Sequence, residues 1–194
     1  MTKFQTRKHD LNDDEVKSAL QKEIRRGNEE EAMYWALELA CEYDKKENPL
    51  GKSSWTWLCN RLKIIAYEDI GIADSEKVLK VSKAVDDMGF LRDKNNREWE
   101  MVLAHIILLL CRSKKNRIND HFKVSMKQKW NNEKKEIPDY AVDMHTTRGN
   151  KNGRKKHTQK GLEHFIEEGE KLENKKKLKN DDFYKEKAYK IWKE

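Results

Sequence analysis

Glu98-Trp99-Glu100-Met101-Val102-Leu103-Ala104-His105-Ile106-Ile107-Leu108-Leu109-Leu110-Cys111 is the stretch that decides the fold. From Met101 to Cys111 the one polar side chain is His105. No glycine or proline breaks it, so it reads as a single helix, apolar almost all the way round. A helix without a polar face must be covered from several sides, which makes it the central helix of a bundle. It is too short to cross a bilayer, which takes about 20 apolar residues.

Candidate covering helices lie on both sides. Asn12, with Glu15 completing a capping box, opens a first helix that places Val16, Ala19, Leu20 and Ile24 on one face and ends at Gly27. Asn28 caps a second, whose first turn stacks Glu29, Glu30 and Glu31 where the helix dipole favours negative charge. Its apolar face is Ala32, Met33, Trp35, Ala36, Leu39 and Ala40. After a loop from Tyr43 to Lys52, Ser53 or Ser54 begins a third helix with Trp55, Leu58, Leu62, Ile65 and Ala66 inward. That helix stops at Glu68-Asp69-Ile70-Gly71. Asp74 or Ser75 caps a fourth, closed by Gly89, with Val78, Leu79, Val81, Val85 and Met88 inward. Arg117 to Trp130 forms a sixth, basic outside, with Ile118, Phe122, Met126 and Trp130 inward.

The reading is therefore an all-α fold. A polar tail covers residues 1–11, a compact helical bundle residues 12–130, and a basic, partly irregular extension residues 131–194, with weaker helices at Gly161–Leu172 and Asp182–Trp192. Two prolines and eight glycines in 194 residues are too few for the many turns of a β-sandwich or barrel. No internal repeat is apparent. The start Met1-Thr2-Lys3-Phe4-Gln5 lacks an apolar signal segment, and Cys41, Cys59 and Cys111 are widely spaced, as buried free thiols in a reducing, cytoplasmic setting would be.

Charge divides the chain. Residues 1–111 hold 18 basic and 21 acidic side chains, whereas residues 112–194 hold 24 and 14, so the net +7 comes entirely from the second part. Such asymmetry bears on partners rather than on fold, and a polyanion is the first candidate. From Met144 to Leu162 there is no acidic residue, while Arg148, Lys151, Arg154, Lys155, Lys156 and Lys160 alternate with Gly149, Gly153 and Gly161. Cations bind a phosphate backbone through counterion release, and Thr146 and Thr147 can donate to phosphate oxygens. The stretch contains no aromatic residue for base stacking, so backbone binding is expected rather than reading of single-strand bases. A solvated loop and an acidic protein partner are the competing readings.

Signals for catalysis are weak. Gly51-Lys52-Ser53 lacks the upstream glycine of a P-loop, because Lys46 stands there, and it lacks a preceding strand. Neither a dinucleotide fingerprint nor a nucleophile elbow is present. Asp143, His145, His157 and His164 are of metal-ligating type, but their spacing fits no defined site and their surroundings are cationic. No cofactor is expected. A metal-dependent nuclease built on these four residues stays the third functional reading.

One segment carries a family resemblance. Arg61-Leu62-Lys63-Ile64-Ile65-Ala66-Tyr67-Glu68-Asp69-Ile70-Gly71-Ile72-Ala73-Asp74 resembles the R-L-x-x-x-A-S-E-D-I-G-L-A-D segment of the replication-associated recombination protein A family (RarA, also called MgsA). These are AAA+ ATPases related to clamp loaders, and the segment belongs to their helical C-terminal part. Ser18-Ala19-Leu20 with Ile24-Arg25, Ala32-Met33-Tyr34-Trp35 and Ser113-Lys114-Lys115-Asn116 are similar to further family blocks in the same order. The resemblance is best over residues 18–88 and extends to 116. Tyr67 replaces the usual Ser and Ser75 the usual Pro. Walker A, Walker B and the arginine finger have no counterpart, so no ATPase and no other enzyme is expected. The resemblance implies a clamp-loader-collar fold that assembles homo-oligomers.

Read from the residues, the same motif is a structural corner: Arg61 pairs with the acids Glu68 and Asp69, Gly71 makes the turn, and Asp74 caps the next helix. Trp55 and Trp57 lie on opposite sides of one helix, so one of them is expected at an oligomer interface. Together these features predict a non-enzymatic accessory module of DNA replication, recombination or repair that binds DNA backbone. The alternative is a protein-only adaptor or inhibitor, of phage or mobile-element type, docking on a host AAA+ or replication protein.

Overall fold

A computed structural model describes residues 8–40, 53–94 and 96–193. The loop from Tyr43 to Lys52, Cys41 and most of the N-terminal tail lie outside these residues. Among the described residues there are helices and no β-strand. The chain forms two compact units, residues 1–132 and 133–194.

In the first unit, α1 (Asp13–Arg26), α2 (Glu29–Ala40), α3 (Ser53–Ile65), α4 (Ser75–Asp93) and α5 (Trp99–Arg112) enclose one core. Local chemistry sets their ends. The Asn12 side chain accepts the Asp14 N–H at 3.0 Å, and Gly27 closes α1 in the left-handed region at φ 81°. Asp74 accepts the Lys77 N–H at 3.2 Å at the start of α4. Between α3 and α4 the backbone widens into a π turn, Ala66–Ile70, then tightens into a 3₁₀ turn, Gly71–Asp74. Gly89 does not end α4: the helix continues to Asp93, and a Cβ at Gly89 would meet nothing, so nothing there favours a stop.

The apolar run is two-faced. Trp99, Leu103, Ile106, Ile107 and Leu110 are buried against α1, α2 and α4, whereas Met101 is 69% exposed and Leu108 36%. Leu108 and Ala104 instead edge a shallow groove of about 460 Å³ with Met33, Tyr34 and Leu37 of α2. Leu79, expected inward, is 66% exposed, because Val78, Val81, Val85 and Met88 already define the buried face of α4.

The largest departure is α6 (Ile118–Asn132). None of its residues is buried; Ile118, Phe122 and Trp130, all expected in the core, are exposed, Trp130 at 76%. The core is already closed by α1 to α5. The helix meets the bundle through its first turns, which pack on the π and 3₁₀ turns.

The second unit contains α7 (Thr147–Lys151), α8 (Gln159–His164), a π turn at Phe165–Gly169 and α9 (Asp181–Lys193). Its few buried apolar side chains include Val142 and Leu162. The stretch expected to be irregular is thus built from short capped turns.

Burial makes the difference between α4 and α5 measurable. Leu103→Ala should lower unfolding stability by about 2–5 kcal/mol, whereas Leu79→Ala should change it by under about 0.5 kcal/mol. Chemical denaturation followed by circular dichroism checks both; equal losses would contradict the assignment of faces.

Candidate functional site

Two regions collect the predicted site residues. The first is the turn after α3. Asp69 is fully buried, and a buried carboxylate needs partners. Arg25 of α1 supplies a fork, with Nε 2.9 Å from Oδ1 and a terminal nitrogen 3.3 Å from Oδ2. Gln21 donates to Oδ2 at 3.3 Å, and the Arg117 guanidinium lies 3.3 Å from Oδ1. Arg117 also reaches Glu68 at 2.9 Å and Asp120 at 2.5 Å. The Asp69 carbonyl accepts the Asn116 N–H at 2.8 Å.

Gly71 turns beneath this network at φ 51°, and a Cβ there would sit 2.6 Å from the Asn119 side-chain nitrogen. Asn119 in turn donates to the Tyr67 carbonyl at 3.0 Å. Lys115 donates to the carbonyls of Leu110, Cys111 and Ser113 at 2.6, 2.9 and 3.1 Å, closing α5. Burial holds the Lys115 ammonium below its ordinary pKa. Separate blocks of the sequence thus meet at one corner. Arg61 is not the partner of the acids: it donates to Gln21 at 3.4 Å, one step away. Arg25 and Arg117 take the place expected for it.

The second region is the acid-free stretch, where tertiary structure exposes a repeat. His145-Thr146-Thr147-Arg148-Gly149 and His157-Thr158-Gln159-Lys160-Gly161 share the pattern H-T-x-[RK]-G. In the first copy the Thr146 hydroxyl accepts the Gly149 N–H at 2.9 Å and donates to the Asp143 carbonyl at 3.0 Å. In the second, Thr158 accepts from Gly161 at 3.2 Å and donates to Lys155 at 2.7 Å. A Cβ at Gly149 would overlap the Asp143 carbonyl, and one at Gly161 the Lys155 carbonyl, so both glycines are required for close approach. The repeat is short and two of its five positions vary, which is why the sequence alone conceals it.

The six cations are not equivalent. Arg154 is consumed by structure: it grips Asp139 at 2.7 and 2.9 Å, donates to the Val142 carbonyl at 2.7 Å, and its side chain is 16% exposed. The Arg154 hydrogen bonds hold the Asp139 carboxyl below its ordinary range. Arg148 donates to the Ile137 carbonyl at 3.2 Å, and Lys160 to the Asn152 carbonyl at 3.1 Å. Lys151, Lys155, Lys156 and Lys160 are all exposed.

The four candidate ligands divide in the same way. Asp143 holds His145, with Oδ2 3.0 Å from Nδ1. Burial pushes the Asp143 carboxyl up, but its hydrogen bonds from the His145 ring and backbone prevail and lower its pKa. His164 is turned to Asp139, 3.4 Å away. Among the described residues no three or more His, Cys, Asp or Glu side chains gather as a metal site. The thiols of Cys59 and Cys111 are pushed up to about 11 by burial, which removes them as nucleophiles at neutral pH. Of the two tryptophans, Trp55 is half-buried edge-on to Trp99 beneath Arg92, whereas Trp57 is 53% exposed under Lys17.

A family model described as MgsA AAA+ ATPase C terminal matches residues 49–194. The chain belongs to this family. The match takes in the Glu68-Asp69-Ile70-Gly71 corner and continues through the second unit, beyond residue 116 where the block-by-block resemblance stops. It begins after α1, which holds both Gln21 and Arg25, and after α2. Comparison with curated proteins found no match. Among the described residues no helix is long and apolar enough to cross a membrane.

In this MgsA C-terminal chain the buried ion pairs of the corner make a stability prediction possible. Asp69→Ala, which strips two guanidiniums of their shared carboxylate, should cost about 3 kcal/mol. Asp74→Ala, which removes a cap, should cost about 1 kcal/mol. Urea titrations of both variants check the order; an Asp69 variant as stable as the Asp74 variant would refute the central role of the corner.

Proposed function

We propose that the chain is a non-enzymatic accessory module of DNA replication, recombination or repair that holds nucleic-acid backbone through its second unit and self-associates through its first. The observation that carries the reading is the display of Lys151, Lys155, Lys156 and Lys160 on two capped turns from which acidic residues are missing. Threonine caps and glycine contacts fix the backbone, so the lysines are presented from ordered turns with exposed side chains, of which Lys160 also donates to the Asn152 carbonyl. Arg154 is omitted from the binding set because Asp139 and two carbonyls occupy it.

Self-association is supported by apolar surface. Ile118, Phe122, Met126 and Trp130 recur every fourth residue along α6 and are all exposed, with Lys123, Lys127 and Lys129 beside them. A solvent-facing stripe of this size is a docking surface rather than a stable resting state. Trp57 adds a further exposed aromatic, whereas Trp55 is turned toward the core. The same stripe favours the second reading, an adaptor that docks on a AAA+ or replication protein. The nuclease reading gains no support, since the described residues gather no metal site.

Two measurements test these readings. Replacing Lys151, Lys155, Lys156 and Lys160 by Ala should weaken duplex binding uniformly across sequences and reduce the log–log salt slope by roughly 3 to 4, about 0.9 per phosphate contact. An unchanged slope in a folded variant would leave the turns as solvated surface. Light scattering at micromolar concentration should show an oligomer that Phe122→Glu with Trp130→Glu converts to monomer; a monomeric parent chain would instead favour the adaptor.

A further inference from the structure

The second unit contains a groove of about 700 Å³, within the range of ligand clefts, roughly 300–1,000 Å³. One wall is aromatic. Phe165, on the π turn, stands edge-on to Trp192 of α9 at 5.9 Å between ring centres and to His145 at 5.3 Å. The rest of the lining is largely polar and cationic: Lys156, then His157, Thr158 and Gln159 from the second repeat. His145 also lines the groove, and its Nδ1 faces Asp143, which leaves Nε2 for a ligand. Thus the equivalent histidines of the two repeats line the same cleft. The aromatics missing from the acid-free stretch are brought to it by chain folding, from positions beyond that stretch in the sequence.

His157 is also held in an unusual backbone state. Its φ is 62°, a region where glycine fits more easily than an imidazole. Nothing in the fold of the turn needs that ring: the Thr158 cap and the Gly161 contact form without it. Glu163, the acid among the described lining residues, accepts a hydrogen bond from Gln159 at 2.8 Å, so the pair offers both donors and acceptors at the edge of the groove.

We propose that this groove binds one nucleotide unit of a single nucleic-acid strand, with the base on the Phe165–Trp192 wall and the phosphate at Lys156 and His157. The proposal rests on the nucleic-acid reading above and narrows it. Cations alone would suit duplex and single strand alike, but an aromatic wall can be used only by a base whose face is free. In a duplex that face is stacked on its neighbours. A strand therefore gains contacts here that a duplex cannot make, despite carrying less charge.

The test uses the full chain and fluorescence anisotropy with a labelled 12-residue oligothymidylate, a 12-base-pair duplex and thymidine monophosphate. The single strand should bind at least as tightly as the duplex, and the mononucleotide far more weakly than either. Trp192→Leu keeps an apolar side chain but should lose about 5- to 150-fold in single-strand affinity, the worth of one stacked base. His157→Gly should melt no lower than the parent chain, since glycine suits the left-handed backbone, yet weaken single-strand binding several-fold. If the duplex binds more tightly and both variants keep full affinity for the strand, the groove is not the site, while the lysine turns stand as a backbone surface. If neither polymer binds, the nucleic-acid reading falls as well. A mononucleotide bound as tightly as the oligomer would make the groove a free-nucleotide pocket and overturn the single-strand assignment.

Discussion

A carboxylate with no access to water is the constraint around which the first unit is arranged. Asp69 ionised in a protein interior would cost several kcal/mol if it were left alone. Two guanidiniums and an amide meet it, from α1, from α1 again and from the start of α6. Those partners fix how α1 lies beside the turn after α3 and where the chain leaves α5. The π turn is part of the same solution. Widening the helix at Ala66–Ile70 places Asp69 inward and Glu68 at the rim, where both can be reached by Arg117. Gly71 then reverses direction at a φ that side chains avoid. The acidic motif is therefore an assembly point for helices that are distant in sequence, and its polarity specifies one arrangement among the many that apolar packing alone would tolerate.

The second unit solves a different problem. It buries few apolar side chains, and its 17 basic residues outnumber its 13 acidic ones. Stability comes locally, from threonines that bridge a carbonyl and an amide, from glycines that let two backbone segments touch, and from one arginine spent on Asp139 and neighbouring carbonyls. This division of labour leaves the four lysines of the acid-free stretch exposed. A phosphate backbone can approach them without displacing any hydrogen bond that holds the turns, apart from the Lys160 contact to Asn152.

Exposed apolar side chains occur on most helices, and in two places on the first unit they stand together. The outer edge of α5 meets α2 in a shallow groove bordered by Glu29 and Glu30, and α6 carries its apolar stripe among lysines.

Periodicity and capping chemistry made most of the helices legible. The runs from Val16 to Ile24 and from Val78 to Met88, the Asn12 and Asp74 caps, and the Gly27 stop depend on neighbours within one or two turns, so local sequence specifies them. The same logic failed for α6 and for Leu79, because an amphipathic pattern says which face is apolar but not whether the core still has room for it. Arg61, in the same motif, was the cation expected to pair with Glu68 and Asp69, yet Arg25 and Arg117 hold them, since ion pairing depends on distance in space. The repeat at His145 and His157, and the aromatic wall of Phe165 and Trp192 beside it, became visible only once the chain was folded. By itself the sequence determined the helical class, the family motif and the location of the charge, all of which follow from residue type and short-range spacing. The tertiary structure decided which charges are consumed in holding the fold and which apolar faces remain open, because both depend on what the rest of the chain has already occupied.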